Sequence, residues 1–175
     1  MTQLAEGVLR NTAGKLIRAH QEASQTGNWT FFVEELYAPD AVYICEYAGV
    51  MKVVAEGMDN IKTTHYGRDM QVGWKGWTFP YMGVYTGTNN SIITHWMSRG
   101  PGRRADGEYY ETPGVSFLTI DNDARIIRQF DMFDLAHQMK LCDELEAEGL
   151  LSPDLKENWV LPMKAKLEAQ LAGNR

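Results

Sequence analysis

The sequence predicts an α+β fold in which early helices pack on one face of a strongly curved antiparallel sheet. Apolar residues recur at helical spacing in the first part of the chain, whereas residues 74–134 are dominated by long runs of β-branched and aromatic residues. Short polar turns at Asn89-Asn90 and Asn122-Asp123 join these runs, as is typical of antiparallel hairpins. Helices that precede the strands as a block, instead of alternating with them, indicate an α+β layout.

The first half of the chain is predicted to begin with two helices. Leu16 and Ile17 belong to a helical stripe in residues 4–26, and Gly27 breaks the pattern before a second short helix in residues 29–37. A strand pair, residues 41–49 and 51–57, turns at Ala48-Gly49 and is followed by a third helix in residues 58–72.

The C-terminal residues 151–175 are predicted to form a helical extension of a single domain of residues 1–150. Ser152-Pro153-Asp154 is a helix-start signal, and Trp159 and Met163 give the extension more apolar surface than a free tail carries. We therefore expect it to pack on the body of the domain or on another subunit. The same reasoning predicts a homodimer or homotrimer that uses the tail or the outer face of the sheet.

The charge of the chain argues against nucleic acid as a partner. It carries 17 basic and 23 acidic residues, a net charge of −6, and its basic residues are scattered except for Arg99, Arg103 and Arg104. These three are expected to form a solvated hairpin loop, and the alternative is a clamp for a carboxylate or phenolate at the mouth of a binding cavity.

The sequence lacks the motifs of membrane segments and of bound cofactors. The N-terminal stretch is amphipathic and no segment approaches the roughly 20 apolar residues of a membrane span, so a cytoplasmic protein is expected. Cys45 and Cys142 stand outside any CxxC or Cys/His cluster, so both are expected to stay reduced. No glycine-rich phosphate loop follows a strand and no helix has metal-ligand spacing, which predicts an activity without metal, nucleotide or flavin.

Two aspartates near the end of the last predicted strand are the first candidates for chemistry. Asp131 is set between Phe130 and Met132, and a buried carboxylate without partners costs several kcal/mol, on the order of 2–7 for a polar group. Asp131 is therefore expected to be paired or used in catalysis, with a raised or histidine-coupled pKa. Asp134 is expected to cap the following helix instead.

Three histidines are further candidates. His95 lies in the strand ITHWMS, where the period of two places either His95 or Trp96 in the cavity. His20 shares the apolar face of the first helix with Leu16, and His65 lies on an apolar face of the third helix. A histidine on such a face is either a hydrogen-bonded core residue or a functional group.

Tyrosines and a glutamate complete the set of candidates. The side chains of Tyr43, Tyr47, Tyr81 and Tyr110 offer ring area and a hydroxyl, which suits an aromatic substrate, although such tyrosines are also ordinary core residues. Strand alternation directs Glu111 away from the cavity, unless a bulge at Pro113-Gly114 reverses it.

The order of elements, with APDAVYICEYAG after the second helix and RIIRQFDMFD near the end, resembles the nuclear-transport-factor-two-like superfamily and its SnoaL-like enzyme branch. The resemblance covers about residues 10–145. It implies a cone-shaped barrel of curved sheet around a deep apolar cavity, with helices on the concave side and catalytic groups on the first helix, the first strand and the last three strands.

The residue-by-residue match to the epoxide hydrolases of this superfamily is partial. Tyr43 lies where they hold a water-binding tyrosine, and Asp131 matches the aspartate on their last strand. Cys45 takes the place of their asparagine, which is also the place of the aspartate base in ketosteroid isomerase. Their remaining Arg/Asp pair should fall in THWMS, which contains neither residue, so that mechanism is disfavoured.

Other members of the superfamily suggest roles for the remaining candidates. His95 resembles the acid/base histidine of scytalone dehydratase, His20 falls close to the oxyanion tyrosine of ketosteroid isomerase, and Ser116 falls at its protonated aspartate. The aromatic-rich segments HYGRDMQVGWKGWTFPY and YYETPGVSF look like the bacterial diarylpropane lyases that release formaldehyde from lignin-derived dimers without a cofactor.

These resemblances imply a cofactor-independent lyase in which His95 and Asp131 move a proton while Tyr43 and His20 stabilise developing charge on oxygen. Cys45, Tyr47, His65, Tyr81, Trp96, Tyr110 and Glu111 are expected to contact a small aromatic substrate. A dehydratase or isomerase, or a polyketide-cyclase-like enzyme, is an alternative, and a non-catalytic binding or assembly domain is another. A cavity of about 300 Å³ or more favours an enzyme or carrier, and a filled cone favours assembly.

Overall fold

The computed structural model of the protein describes residues 2–173 and has an α+β fold built on one six-stranded sheet. The helices are α1 (Glu6–Thr26), α2 (Trp29–Leu36), α3 (Met58–Ile61, continued by a π-helix over Lys62–Gly73), α4 (Leu135–Ala147), α5 (Pro153–Leu155, continued by a π-helical turn over Lys156–Val160) and α6 (Leu161–Gly173). The strands are β1 (Tyr37–Tyr47), β2 (Met51–Glu56), β3 (Tyr81–Thr86), β4 (Ser91–Arg103), β5 (Tyr109–Ile120) and β6 (Ile126–Phe133).

The sheet is mixed and open, with the strand order β2-β1-β6-β5-β4-β3. Four of its pairs are antiparallel, but β1 and β6 run parallel. The α+β cone-type fold is confirmed, and the expected barrel of antiparallel sheet is corrected to a mixed sheet that is not closed. The parallel pair joins residues 86–89 positions apart in sequence, and local residue patterns do not record such a pairing.

Helices α1 and α2 cover the inner face of the sheet. Their buried side chains, among them Leu16 and Val33, form one core with inward residues of the strands such as Ile92 and Leu118. The break between the two helices follows the predicted signals: Gly27 adopts φ of 72°, and the Asn28 side chain accepts a hydrogen bond from the Phe31 amide. The helices therefore close the cone from one side.

The predicted turns are found, with one change in length. Ala48 and Gly49 between β1 and β2, and Asn89 and Asn90 before β4, all have positive φ. Strand β4 extends through Arg103, so the loop predicted to begin at Arg99 is shorter than expected. No helix among residues 2–173 is long and apolar enough to cross a lipid bilayer.

The C-terminal extension is helical and packs on the body of the same chain. Ser152 caps α5 by accepting a hydrogen bond from the Leu155 amide. Leu155, Val160 and Met163 are buried in a second core together with residues of α4 such as Leu145. This core fixes the extension against α4.

Candidate active site

A cavity of about 100 Å³ lies between the helices and the inner face of the sheet. Aromatic rings form most of its wall, and its polar atoms come mainly from β1, β4, β5 and β6. The aromatic lining residues are His20, Trp29, Phe32, Tyr43, Tyr47, His65, Tyr66, Trp74, Phe79, Tyr81, Trp96 and Phe133. The volume is smaller than the several hundred Å³ expected of an enzyme pocket, and is close to that of an engineered apolar cavity, roughly 150 Å³, that binds benzene.

Strand register places four polar or polarisable side chains in one row on the cavity wall. Cys45 is paired with Asp131, Asp131 with Ser116, and Ser116 with Thr94, across β1, β6, β5 and β4. Because side chains alternate between the two faces of a strand, all four point into the cone. The row sets Asp131 in the middle of the cavity wall.

Gln129 is the main hydrogen-bond partner of Asp131. Its Nε2 donates to both carboxylate oxygens, at 2.8 Å and 3.0 Å, while its Oε1 accepts from the hydroxyls of Tyr37 and Tyr66. Those two hydroxyls also lie 2.8 Å apart. Because the phenol pair donates to the amide oxygen, the amide presents its NH₂ group to the carboxylate.

A second hydrogen-bond chain reaches Asp131 from β4. The indole of Trp96 donates to the Ser116 hydroxyl at 2.9 Å, and the Ser116 hydroxyl in turn stabilises the charged form of Asp131. Gly114 makes room for this indole, since a Cβ at that position would lie 2.2 Å from the Trp96 ring. The glycine is thus required by the cavity wall.

Burial sets the acidity of Asp131. The side chain is 7% exposed, and loss of water raises the pKa of its carboxyl from 3.8 to about 6. Hydrogen bonds from Ser116, Gln129 and Tyr43 oppose this rise without cancelling it. The predicted rise is confirmed in direction, and both protonation states of Asp131 are accessible near neutrality.

The two cavity histidines are neutral. The His20 ring stacks on Tyr81 with 3.9 Å between ring centroids, and the His65 ring stacks on Tyr43 at the same separation. Burial lowers the pKa of His20 to about 4, and burial with the nearby Arg68 charge lowers the pKa of His65 to about 3. Near pH 7 neither carries the charge that would pair with Asp131.

The thiol and phenols of the cavity are weak acids. Burial, reinforced by the Asp131 charge, raises the pKa of Cys45 to about 12, and raises the pKa of Tyr43 well above its ordinary value. Cys45 is therefore protonated and is not a nucleophile at neutral pH. Asp131 is the cavity group that can exchange a proton at ordinary pH.

The structure brings together most of the residues that the sequence singled out. The catalytic candidates Asp131, Tyr43 and His20 line the cavity, as do the predicted substrate contacts Cys45, Tyr47, His65, Tyr81 and Trp96. Asp134 caps α4, as predicted, by accepting from the His137 amide at 3.0 Å.

Three predicted positions are wrong. His95 lies on the outer face of β4, because its neighbours Thr94 and Trp96 point inward, so it does not share a cavity with Asp131. Glu111 is directed outward and forms an ion pair with Arg99 at 2.7 Å, since the pairing of β4 with β5 shows no bulge at Pro113-Gly114.

Tyr110 is the third correction. It is buried in the second core, beside Leu135 and Met139, because it precedes the stretch of β5 that faces the cavity. The arginine loop is held by local partners: Arg99 and Arg103 pack on the ring of Tyr109, and Arg104 pairs with Glu144. The interpretation as a hairpin is therefore favoured over a clamp at the cavity mouth.

The sequence interpretation missed several cavity residues. Gln129 was detectable, since it lies two positions before Asp131 and so shares its face of β6. Thr94 was likewise on the face of Trp96. Tyr37 and Tyr66 join the network from the start of β1 and from the π-helix, and no local signal connects those positions with Gln129.

Trp159 from the C-terminal extension packs on three aromatic residues of the cavity wall. Between ring centroids, Trp159 lies 4.8 Å from Trp74, 6.1 Å from Tyr47 and 6.4 Å from Phe133. All three of these residues line the cavity. The extension therefore supports the cavity wall from behind. Among residues 2–173, no three metal-ligating side chains converge on a common point.

No protein-family model matches the sequence, and no curated protein matches it either. Solved structures match at the level of the fold. An LEH-like epoxide hydrolase of M. tuberculosis is 19% identical, with a TM-score of 0.56 over 81% of this chain and 98% of that chain. TerC, co-crystallised with polyporic acid, is 13% identical, with a TM-score of 0.57 over 74% of this chain and 97% of that one.

A protein of the SnoaL-like family from Agrobacterium tumefaciens is 16% identical, with a TM-score of 0.51 over 73% of this chain and 98% of that chain. Identities this low establish the fold alone: the chain has the fold shared by NTF2-like and SnoaL-like proteins. What it does must be argued from its cavity.

Proposed function

We propose that the protein is a cofactor-independent lyase that acts on an aromatic substrate, with Asp131 as its acid/base. The observation that carries this proposal is a buried carboxylate, oriented by Gln129 and with a pKa of about 6, in the wall of an aromatic cavity. Perturbed acids in such cavities are typical of catalytic sites. Since His95 does not reach the cavity, Asp131 would act with the neutral hydroxyls of Tyr43 and Ser116 instead of the predicted histidine.

The substrate we favour is a 1,2-diarylpropane-1,3-diol, which would be cleaved to formaldehyde. Asp131 removes the proton of the terminal hydroxyl, and the bond between the terminal and central carbons breaks as the C=O bond of formaldehyde forms. The electrons of the broken bond make a C=C bond with the third carbon, which loses its hydroxyl. That hydroxyl takes the proton from Asp131 and leaves as water. The products, a stilbene, formaldehyde and water, balance without oxidant or reductant.

The shape and polarity of the cavity support a neutral aromatic substrate. Its lining contains no lysine or arginine, so nothing there would neutralise an anionic ligand. A volume of about 100 Å³ suits one ring, and a second ring would displace the aromatic side chains of the wall next to Trp159. TerC supports the same substrate class only in so far as it was co-crystallised with polyporic acid.

A dehydratase or isomerase uses the same group differently and remains the second candidate. Asp131 could move a proton between two atoms of a single-ring substrate without breaking a carbon–carbon bond. The observation that supports this alternative is the cavity volume, since one ring fits without displacement of the wall. A non-catalytic binding domain is the third candidate, and the same small volume is the observation in its favour.

The test is to incubate the purified protein with a 1,2-diarylpropane-1,3-diol and measure formaldehyde colorimetrically and the stilbene by ultraviolet absorbance. We expect equimolar formaldehyde and stilbene, a loss of about 10²-fold or more in Asp131→Asn, and near-normal turnover in His95→Ala. An absorbance change without formaldehyde would indicate an isomerase or dehydratase. Binding without any conversion would indicate a carrier and would reject the proposal.

A further inference from the structure

The hydroxyl of Thr94 is a buried polar group without a partner. The residue is 1% exposed, and its Oγ1 has no hydrogen bond to any of residues 2–173. Such an orphan costs about 1–3 kcal/mol in desolvation, which is why buried polar groups in native proteins nearly always have a partner. An exception therefore requires an explanation.

The orphan hydroxyl faces the cavity. Thr94 lines it from β4, in the same row as Ser116 and Asp131. Thr94 lies near enough to the Tyr81 hydroxyl to act on it as a hydrogen-bonding group, which lowers the pKa of Tyr81 against the rise caused by burial. The two hydroxyls nevertheless do not meet the geometry of a hydrogen bond, so Thr94 Oγ1 is left without a partner in the protein. The partner of Thr94 is therefore to be sought in what occupies the cavity.

Polarity and shape define that occupant. A threonine hydroxyl both donates and accepts, and so matches another hydroxyl better than a cation or a carboxylate. The flanking wall is aromatic, with Tyr81 and Trp96 on either side and Phe79 within 6.2 Å of the Trp96 ring centroid. The hydroxyl that suits this place is one attached to an aromatic ring.

We propose that Thr94 is the binding site for the phenolic hydroxyl of the substrate, two strands away from Asp131 along the cavity wall. The two residues stand on β4 and β6 with β5 between them, so their backbones are separated by two strand spacings, about 10 Å. One ring that carries a hydroxyl at one end and the reacting chain at the other spans this interval. The inference rests on the aromatic-substrate part of the proposed function and adds a requirement for a free phenol.

The experiment compares 4-hydroxybenzyl alcohol with its methyl ether, 4-methoxybenzyl alcohol, in equilibrium binding measured by quenching of tryptophan fluorescence. The wild-type protein should bind the phenol about tenfold more tightly, since an unpaired Thr94 disfavours the ether. In Thr94→Val this preference should disappear. In Thr112→Val it should persist, because Thr112 is equally buried but is already bonded to Gln138 at 2.9 Å.

The same two variants separate a ligand site from a structural hydroxyl. Without ligand, Thr94→Val should melt at or above the wild-type temperature because it removes an unpaired buried hydroxyl. Thr112→Val should melt at a lower temperature because it leaves the Gln138 side-chain oxygen without its hydrogen-bond donor. The proposal is overturned if the wild type shows no preference, if neither compound binds at millimolar concentration, or if Thr94→Val retains the preference. A protein that prefers the phenol but releases no formaldehyde would keep this site and lose the lyase assignment.

Discussion

Replacement of Asp131 by asparagine should make the protein more stable at neutral and alkaline pH while it abolishes the acid/base. Asp131 is 7% exposed and the pKa of its carboxyl is raised from 3.8 to about 6, which means that folding opposes its ionisation. A difference of about 2 pKa units at 1.36 kcal/mol per unit corresponds to about 3 kcal/mol.

The sign and the pH range follow from linkage. Because the folded pKa lies above the unfolded one, the contribution of Asp131 to stability is greatest below pH 3.8 and is lost as pH rises through about 6. The stability of Asp131→Asn relative to wild type should therefore increase by about 3 kcal/mol between acid pH and pH 8. Asparagine is nearly isosteric, so packing changes little.

Urea unfolding of both proteins at several pH values from 3 to 8 measures this difference. Asp134→Asn is the matched control, because it lies three residues away and asparagine caps a helix as well as aspartate does. Its stability should follow the wild-type curve. Parallel pH curves for wild type and Asp131→Asn would show that the carboxyl ionises as easily in the fold as in water, and would refute the reasoning.

Three further predictions concern the surroundings of this carboxyl and the outer face of the sheet. Gln129→Leu removes two N–H donors to Asp131, so the pKa of the carboxyl should rise by about 1–2 units. The pH midpoint of kcat/KM should rise with it. An unchanged midpoint would exclude Gln129 as a positioning residue. His65→Phe keeps a ring on Tyr43 but removes an imidazole whose pKa is lowered to about 3. Wild type should lose stability as pH falls below 6.5, by about 2 kcal/mol at pH 5, because only the unfolded state binds the proton there. The variant should not show this loss, and thermal melting at pH 5 and pH 8 measures the difference. We also propose a homodimer or homotrimer that forms through the outer face of the sheet, because large apolar side chains are exposed there: Val54, Tyr85, Phe117 and Met132. Light scattering should give two or three times 19.8 kDa for wild type and a lower mass for Phe117→Glu.

Local sequence signals were sufficient to predict the helices and strands and to single out Asp131 as the candidate acid of the site. Asp131 among apolar neighbours indicated a carboxylate that is either paired or used, and Asp134 had the position of a helix cap; both are found in the structure. Tyr43 and His20 were placed on cavity-facing elements by the resemblance, and both line the cavity. The assignments of Asp131 and Asp134 depend on short-range patterns, whereas those of Tyr43 and His20 depend on the resemblance.

The remaining features depend on register and on long-range packing. A shift of one residue exchanges His95 and Trp96 between the two faces of β4, and the composition of ITHWMS does not decide between them. The parallel β1–β6 pair, which brings Cys45 beside Asp131, joins distant segments. The cavity volume depends on how large rings such as Trp96 and Trp74 pack together, which is a property of the folded core.

The most direct measurement is a carbon-detected NMR titration of the side-chain carboxyls in the ligand-free protein, with Asp131→Asn used to assign the resonance. If burial raises the pKa of Asp131, its carboxyl resonance should titrate with a midpoint near pH 6. The same resonance should be missing from the spectrum of Asp131→Asn. A midpoint at or below the ordinary value of 3.8 would contradict the central claim, because Asp131 would then be a permanently ionised structural group.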